Sequence, residues 1–353
     1  VDHLEGVNRG VPVVDSRMAR RADAPPPPAG FRPDAHLTDR EGRLYTYLRL
    51  SLADRCNLAC VYCMPPNGEP EHALRPELLT FEEVVRVVSV FAVGGVRRVR
   101  LTGGEPLARR DIVRLVEMVA RTTPVDELVM TTNGVRLSEL ARPLAAAGLR
   151  GVNISIDSLD ATRFREITRG GELGLVLAGV YAALDAGLEV KINAVALGGI
   201  NDDELGAIVD WSWDLGITPR FIELMPLGEA ANLPREAFVG AAAVRARLGD
   251  RLDGGTVPRA AHTGPARYVR AADGSNKRVG FISAMSDEFC GSCNRVRVTA
   301  MGDIRACLAD RRAVSLRDLV RAGASDEELA WAIHWSLDTK VAGHLFHVAG
   351  AGE

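Results

Sequence analysis

The six cysteines of this chain fall into two closely spaced triads, Cys56-x3-Cys60-x2-Cys63 and Cys290-x2-Cys293-x13-Cys307. Three thiolates from one short loop can bind three corners of a cubane iron–sulfur cluster and leave the fourth iron open to a small molecule. Structural zinc normally takes four protein ligands, and His72 is the closest further candidate to the first triad. The first triad therefore predicts a cluster, with zinc or free thiols as the alternatives.

The second triad takes two thiols from one loop and the third from across a predicted hairpin. Zinc completed by a distant histidine, His262 or His334, is the alternative interpretation. Disulfides are disfavoured because no secretion signal is visible and cytosolic thiols stay reduced. Because the first triad already favours cluster chemistry, we expect a second iron–sulfur cluster with an open site.

Strand-like and helix-like segments alternate over residues 45–226, which predicts six β-α units with parallel strands and right-handed crossovers. The pair Thr80 and Glu83 forms a capping-box pattern, and Ser138, Asp160 and Asn201 are predicted helix N-caps. The predicted strands cover residues 45–52, 98–102, 128–132, 152–157, 189–196 and 220–225.

Alternation along these strands gives one apolar face and one polar face. Parallel strands buried between helices usually read as almost continuous apolar runs, so a polar face needs an explanation. A partly open barrel with a wet, ligand-lined interior explains it, and polar side chains at solvated strand ends are the alternative. The predicted inward residues are Arg49, Ser51, Arg100, Thr102, Thr131, Asn133, Asn153, Ser155, Asp157, Lys191, Asn193, Glu223 and Met225.

The two ends of the chain have other patterns. Residues 1–43 show little apolar periodicity and include four consecutive prolines at 25–28, which predicts a disordered tail. Beyond residue 226 we predict helices over 235–248, 315–322 and 325–340, and short strands over 266–270, 278–283, 296–299 and 304–308. We therefore expect a tail over 1–43, an α/β incomplete (βα)6 TIM-type barrel over 44–232, and a C-terminal α+β extension over 233–353 carrying the second cluster.

Composition excludes several functional classes. The net charge of −3 gives no electrostatic signal for nucleic acid or an anionic membrane. No apolar run reaches the roughly 18 residues of a transmembrane helix, so we expect a cytoplasmic protein. Only Lys191, Lys277 and Lys340 are lysines among 43 basic residues, which makes each of them conspicuous.

The first triad, directly after a predicted strand, resembles the signature loop of the radical SAM superfamily, whose open iron binds S-adenosylmethionine. The segment LTGGEP at 101–106 is similar to the superfamily motif that meets the methionyl amino group. Glycines suit that contact because they let backbone carbonyls approach an ammonium closely. Together these two motifs are far more specific than a Gly-Gly turn alone.

Over residues 45–348 the chain resembles the GTP 3′,8-cyclase (MoaA) family of molybdenum cofactor biosynthesis. The motifs that carry this resemblance are LRLS at 48–51, DRCN at 54–57, YCMP at 62–65, RLTGGEPL at 100–107, TTNG at 131–134, NISID at 153–157, KIN at 191–193, RFIELMP at 220–226, CGSCNRVR at 290–297 and CL at 307–308.

The resemblance implies two 4Fe-4S clusters and a cyclisation started by a 5′-deoxyadenosyl radical, which takes the ribose 3′ hydrogen of GTP. The new carbon radical would attack guanine C8, with the base on the open iron of the second cluster and no acid–base side chain. The implied residues are Tyr62, Gly104, Ser155 and Met225 for S-adenosylmethionine, and Arg49, Arg100, Thr131, Lys191, Arg295 and Arg297 for GTP.

The residues themselves support a triphosphate site at one point. Arg49, Arg100 and Lys191 all fall on the predicted inward face, and cations with oriented donors are the usual way to hold a triphosphate. For a single arginine, an ordinary surface ion pair is the alternative. The resemblance also implies a flavodoxin- or ferredoxin-type electron donor, a downstream cyclic pyranopterin monophosphate synthase and a homodimer.

Two departures from the family pattern and two alternative functions remain. Ala53 stands where the family usually has Thr, and the Gly-Gly end of the family is replaced by Gly350-Ala351-Gly352-Glu353. Another radical SAM enzyme with an auxiliary cluster, such as a peptide maturase, is one alternative. A non-catalytic iron–sulfur electron-transfer or scaffold protein is the other, although such a protein does not need the Gly-Gly-Glu-Pro strand.

Overall fold

The computed structural model describes residues 20–66, 72–258, 262–309 and 312–343. Within them the strands are β1 (Arg20–Arg21), β2 (Tyr47–Ser51), β3 (Arg98–Thr102), β4 (Glu127–Thr132), β5 (Gly151–Ser155), β6 (Glu189–Ala196), β7 (Thr218–Glu223), β8 (Leu252–Val257), β9 (Arg267–Ala271), β10 (Arg278–Ile282), β11 (Arg295–Val298), β12 (Asp303–Arg305) and β13 (Arg312–Ser315). The helices are α1 (Phe81–Val93), α2 (Ile112–Thr122), α3 (Leu137–Ala146), α4 (Ala161–Thr168), α5 (Leu173–Asp185), α6 (Leu205–Asp214), α7 (Ala241–Leu248), α8 (Leu316–Arg321) and α9 (Asp326–Asp338).

Strands β2 to β7 lie side by side and run parallel, with helices α1 to α6 in the connections between them. Their outer residues, such as Leu48, Leu50 and Leu101, belong to one buried core with apolar side chains of the helices. Burial of that core stabilises the sheet from outside and leaves the inner face free for polar residues. The predicted incomplete β-α barrel is confirmed.

The C-terminal strands extend this sheet at both edges. β11 pairs in parallel with β2, and β10 pairs in parallel with β7, so the loop from β10 to β11 spans the gap between the two edges of the incomplete barrel. Strands β12 and β13 continue beyond β11, and β9 and β8 continue beyond β10. The predicted domain boundary at residue 232 stays a prediction. Strands from the two sides of this boundary are hydrogen-bonded to each other in one sheet.

Several element boundaries differ from the predictions. The N-cap of α3 is Arg136 and that of α6 is Glu204, so the predictions of Ser138 and Asn201 as N-caps were wrong. The Asn201 side chain instead accepts a hydrogen bond from the Leu197 amide, at 2.8 Å, and closes a turn. The capping box at Thr80 and the Asp160 cap are confirmed.

The predicted helix over 235–248 is shorter than expected, because only α7 is an α-helix and Gly240 is its N-cap. A short 3-10 turn, Arg235–Ala237, precedes that glycine. Strands β8 and β13 were not predicted from the sequence. In β8 the sequence LDGGTV includes two glycines, a residue type that is depleted in strands, so the segment carried little strand signal.

Residues 22–43 pack against the rest of the protein, so the predicted tail was wrong for this part of the chain. Leu37 is only 1% exposed, and the Phe31 ring lies 5.2 Å from that of Trp331, between ring centroids. The Trp331 indole also donates a hydrogen bond to the Pro25 carbonyl, at 2.7 Å. These contacts join residues some 300 positions apart, a distance at which local periodicity carries no signal. Residues 1–19 lie outside the described residues.

No single helix in the described ranges is long and apolar enough to cross a membrane. Helices α4 and α5 taken together are long and apolar enough by length and composition, but the chain bends by 99° between them. Helix α5 turns Val176, Val180 and Ala183 into the main core.

Leu37→Ala tests whether the N-terminal segment belongs to the core. We expect a loss of about 2–5 kcal/mol in the free energy of unfolding, because the substitution leaves a cavity at a buried site. Leu74→Ala is the matched control, since Leu74 is 67% exposed, and it should change stability by no more than about 0.5 kcal/mol. Denaturant unfolding of both variants makes the comparison, and equal stabilities would contradict the packing described here.

Candidate active site

The inner face of the barrel lines a cavity of about 860 Å³, which is at the upper end of the usual range for small-molecule sites. Residues from β2 to β7 contribute to it, together with residues from β10, β11 and the loop before β9. Of the predicted inward residues, the cavity is lined by Arg49, Arg100, Thr131, Asn153, Ser155, Lys191, Asn193, Glu223 and Met225. The interpretation of the polar face as a ligand-lined interior is therefore supported.

Three arginines lie side by side across neighbouring strands of this cavity. Arg297 on β11 is opposite Arg49 on β2, which in turn is opposite Arg100 on β3. Like charges directly opposite one another destabilise a sheet. The arrangement therefore has a free-energy cost that a bound anion would relieve.

The lowered pKa values of these arginines reflect that free-energy cost. Burial lowers the pKa of Arg49 to about 9, and repulsion from Arg297 and Arg100 adds to the effect. Burial and the neighbouring Arg295 lower the pKa of Arg297 to about 10. Nε of Arg49, and Nε and Nη2 of Arg220, are buried with no hydrogen-bond partner in the described structure. Buried donors of this kind are normally satisfied, so these atoms point to a missing acceptor.

Eight basic side chains line the cavity against three acidic ones, so its charge suits a polyanion. Glu127 pairs with Arg98 at 2.5 Å, and Glu189 pairs with Lys191. Arg100 donates to the Thr131 hydroxyl at 3.2 Å. The residues that the resemblance assigned to GTP all line this one cavity: Arg49, Arg100, Thr131, Lys191, Arg295 and Arg297.

Arg98 and Arg220 also line the cavity and were missed from the sequence. Arg98 has the same strand parity as Arg100, so the alternation of β3 already contained the signal. On β7, Phe221 packs into the core beneath α7, which turns Arg220 and Ile222 toward the cavity. The prediction of the polar face was therefore wrong in phase along this strand.

Glu223 shows the consequence of that error. Its carboxylate accepts hydrogen bonds from the backbone amides of Ala241, Met285 and Ser286, at 2.7, 2.8 and 2.9 Å. Although it borders the cavity, this side chain uses its described contacts to tie α7 to the loop after β10. Asp157 is similar, since it accepts from the Tyr62 hydroxyl at 2.7 Å and from the Val195 amide at 2.8 Å.

The first cysteine triad lies on the loop after β2, and this loop is fixed by the end of α4. The amides of Ala59 and Val61 donate to the carbonyls of Thr168 and Ile167, at 3.2 and 2.9 Å. Arg169, in a left-handed conformation at the C-cap of α4, donates to the Met64 carbonyl at 2.5 Å. The cysteine loop is thus held by hydrogen bonds with the end of α4, which follows β5, three strands away from β2 in the sheet.

Of the residues assigned to S-adenosylmethionine, Tyr62, Ser155 and Met225 line the cavity, as does Cys63 of the first triad. Gly104 is not among the lining residues and has a different role in the described contacts. Its amide donates to the Ala53 carbonyl, and the Glu105 amide donates to the Arg55 carbonyl, both at 2.8 Å.

The Gly-Gly segment therefore lies directly against the start of the cysteine loop. A Cβ atom on Gly104 would lie 2.1 Å from the Arg55 carbonyl oxygen and 2.9 Å from the Cys56 nitrogen. The glycine is thus required by a close approach of two backbones, in addition to any contact with a bound amino group. Glu105, which accepts hydrogen bonds from the Leu107 and Asn133 amides and the Thr132 hydroxyl, fixes the same turn.

The second triad lies on the loop between β10 and β11, with Cys307 following β12. The three cysteines line a smaller cavity of about 100 Å³. It shares Met225, Ile282, Arg295, Arg297 and Leu308 with the large cavity, which Cys63 of the first triad also lines, so the two cavities are adjacent. Burial raises the pKa of Cys293, but Arg295 and Lys340 outweigh that effect and lower it to about 6.

Each triad offers three free thiols, which is the ligand chemistry of a cluster with one open iron, and the two clusters stay predictions. The neighbouring thiols contribute to raising the pKa of Cys60 and Cys290, although burial is the larger cause for both. No three His, Cys, Asp or Glu side chains in the described segments converge on a single metal ion. His334, one proposed zinc ligand, packs edge-on against Phe31 at 5.3 Å between ring centroids. The tail at 350–353 lies outside the described residues.

Gly104→Ala tests the close approach at the cysteine loop. We expect the added methyl group to displace residues 55–56 and to lower the iron content at the first triad after anaerobic reconstitution, with a lower melting temperature. Gly174→Ala is the matched control, because a Cβ there meets nothing within 4 Å. Iron analysis and thermal unfolding measure both effects, and full iron loading of the Gly104 variant would contradict this account.

Comparison with known proteins gives two family matches. Residues 50–212 match the Radical SAM superfamily, and residues 217–346 match Molybdenum Cofactor Synthesis C. The structure of Streptococcus suis SuiB bound to S-adenosylmethionine is similar, with a TM-score of 0.58 over 82% of this chain and 68% of that chain. At 14% sequence identity, this likeness concerns the fold alone.

Curated relatives are much closer in sequence. The GTP 3′,8-cyclase of Rhodopseudomonas palustris strain TIE-1 is 45% identical over 89% of this chain and 91% of its own length. The GTP 3′,8-cyclase of Paracoccus denitrificans is 44% identical over 90% of this chain and 94% of its own length. The chain therefore belongs to the GTP 3′,8-cyclase family within the radical SAM superfamily.

Proposed function

We propose that this chain converts GTP to (8S)-3′,8-cyclo-7,8-dihydroguanosine 5′-triphosphate, the first step of molybdenum cofactor biosynthesis, with S-adenosylmethionine as cosubstrate. The observation that carries the proposal is a cavity lined by an excess of cations, which is bordered by Cys63 of the first triad and shares lining residues with the smaller cavity at the second triad. A triphosphate supplies about four negative charges, and arginine is well suited to bind phosphate oxygens in pairs.

In this proposal Cys56, Cys60 and Cys63 hold one 4Fe-4S cluster, and the second triad holds another. When bound, the first cluster would supply one electron that cleaves S-adenosylmethionine to methionine and a 5′-deoxyadenosyl radical, and this radical would take the ribose 3′ hydrogen to give 5′-deoxyadenosine. C3′ would then bond to guanine C8, and a second electron with a proton from solvent would convert the remaining base radical to the 7,8-dihydro product. The protein itself contributes no acid or base to this sequence. Its contribution is to hold GTP and S-adenosylmethionine at a fixed distance from each other and to exclude other hydrogen donors from the cavity.

The cations that line the cavity form two groups on different strands. Arg49, Arg100 and Arg297 form the adjacent row across β3, β2 and β11, while Lys191 and Arg220 lie on β6 and β7. We propose that this set, with Arg295 and Thr131, binds GTP. Tyr62, Ser155 and Met225 bind S-adenosylmethionine, and Gly104 supports the loop beside it.

A peptide maturase is less well supported by the same cavity. A peptide substrate does not account for the unpartnered guanidinium nitrogens of Arg49 and Arg220, whereas a triphosphate offers acceptors for them. The non-catalytic alternative requires neither the cavity nor the Gly-Gly-Glu-Pro turn. The proposal further includes a flavodoxin- or ferredoxin-type electron donor, a downstream cyclic pyranopterin monophosphate synthase, a homodimer and a cytoplasmic location.

Anaerobic reconstitution followed by incubation with GTP, S-adenosylmethionine and dithionite tests the activity. We expect about eight irons per chain, because each cubane contains four, together with 5′-deoxyadenosine and a cyclised dihydro-GTP. With GTP deuterated at C3′, the deuterium should appear in 5′-deoxyadenosine by mass spectrometry. The same mixture without GTP is the control. Deuterium retained in the nucleotide product would contradict hydrogen abstraction at C3′, and about four irons would contradict the second cluster.

Arg220→Met tests the residue that the sequence did not reveal. A charge-assisted hydrogen bond contributes about 1.5–3 kcal/mol, so we expect GTP binding to weaken roughly ten- to hundredfold. Arg270→Met is the matched control, because Arg270 is exposed on β9 and does not line the cavity. Equilibrium binding of GTP to the reconstituted proteins measures the difference. Equal dissociation constants for the two variants would remove Arg220 from the proposed site.

A further inference from the structure

Lys340 is a buried cation beside the second cysteine triad. It is 8% exposed, and its Nζ lies 3.4 Å from Cys293 Sγ and 3.4 Å from the Arg295 carbonyl oxygen. The same ammonium lies over the ring of Tyr45, 4.6 Å from the centroid. A buried lysine is unfavourable unless it is paired, and a thiolate sulfur is the anionic partner that these contacts offer.

The position of Lys340 is fixed by the N-terminal segment. The Tyr45 hydroxyl donates to the buried Asp39 carboxylate at 2.5 Å, which holds the aromatic ring beneath the ammonium. Arg43 Nε donates to the same carboxylate at 2.6 Å. Asp39 therefore orients both an aromatic ring and a guanidinium toward the second triad.

Arg43 connects three segments that are far apart in the sequence. Its Nη1 donates to the carbonyls of Cys290, at 3.2 Å, and Ala342, at 3.1 Å, and its Nη2 donates to the Val341 carbonyl at 3.0 Å. The triad loop and the chain just after Lys340 are thus joined through one guanidinium. This arrangement keeps the Lys340 ammonium at the Cys293 sulfur.

Lys340 differs from the other cation at that sulfur. Arg295 Nη2 lies 3.5 Å from Cys293 Sγ, but Arg295 also lines the large cavity and belongs to the proposed GTP site. Lys340 lines the small cavity at the triad and is not among the residues that line the large cavity. Its contacts are therefore with the cysteine and its loop, without a described contact in the substrate cavity.

We propose that Lys340 is a positioning residue that tunes the second cluster, through a charged hydrogen bond from its ammonium to the sulfur of Cys293. The inference rests on the proposed second cluster. Hydrogen bonds to cluster sulfurs and nearby charge set the reduction potential of an iron–sulfur cluster. Reduction adds one negative charge, so a fixed cation stabilises the reduced form more than the oxidised form and raises the potential.

The test isolates the second cluster in the full-length chain. Cys56→Ala, Cys60→Ala and Cys63→Ala together remove the first triad, so that any reconstituted cluster is at the second. Into this background we would introduce Lys340→Met, Lys340→Arg and, as the matched control, Lys277→Met. Lys277 is exposed, lies over the Trp213 ring and does not line the cavity at the triad.

Redox titration with dithionite and mediator dyes, followed by electron paramagnetic resonance, gives the midpoint potential of each variant. We expect Lys340→Met to retain its iron but to shift the reduction equilibrium at least tenfold toward the oxidised form, a decrease of about 59 mV for one electron. Lys340→Arg should restore at least half of this shift. Lys277→Met should match the parent protein.

Each other outcome bears on the inference directly. An unchanged potential in Lys340→Met overturns it, because the contact then does not act on the cluster. If Lys340→Met loses the cluster, retention of iron and potential by Lys340→Arg still supports a charged hydrogen bond. Loss of the cluster in both variants would overturn the inference, because Lys340 would then act only through packing. A parent protein with no iron at the second triad would refute the proposed second cluster itself, which is a distinct failure.

Discussion

The repulsion among arginines on the inner face of one sheet is an unfavourable interaction that the rest of the fold must offset. Arg297, Arg49 and Arg100 are neighbours across three strands, where like charges oppose folding. The compensation lies on the other side of the same strands, where Leu48, Leu50 and Leu101 are fully buried. The sheet can present a costly inner surface because its outer surface is an apolar core.

The same division explains why the chain closes the barrel only in part. A filled barrel interior would exclude a nucleotide, and an open sheet would leave the cations solvated and weak. Addition of β10 beside β7 and β11 beside β2 gives an intermediate solution. The strands after the barrel supply Arg295 and Arg297 to the cavity and carry the loop with the second triad across its open side.

Much of this could be predicted from local patterns, and the failures share a physical origin. Strands β3 and β6 were predicted to the residue, since period-two alternation and flanking helix signals are local. Arg220 was missed because the direction of a side chain on β7 depends on Phe221 packing against α7, which lies beyond residue 240. The N-terminal segment was mistaken for a tail because its partners, such as Trp331, are at the other end of the chain.

Glycine at 104 illustrates a further limit of motif-based reasoning. The motif correctly marked the position, yet the reason suggested by ligand chemistry was only part of the explanation. The described contact is between two backbones, with the Arg55 carbonyl too close for any side chain. A residue that serves a ligand and also serves the loop that holds the ligand cannot be assigned one role from its identity.

The two triads differ in how much of the chain must fold before each can bind iron. The first lies on a single loop, and its described backbone hydrogen bonds are with Gly104, Glu105, Ile167 and Thr168 of the same barrel. The loop of the second is hydrogen-bonded to Arg43 from the N-terminal segment, and Arg43 also donates to the carbonyls of residues 341–342. Binding at a site that exists only in the folded state contributes its free energy to folding. A cluster at the second triad would therefore stabilise the contact between Arg43 and residues 341–342, whereas one at the first would stabilise mainly the loop that carries it.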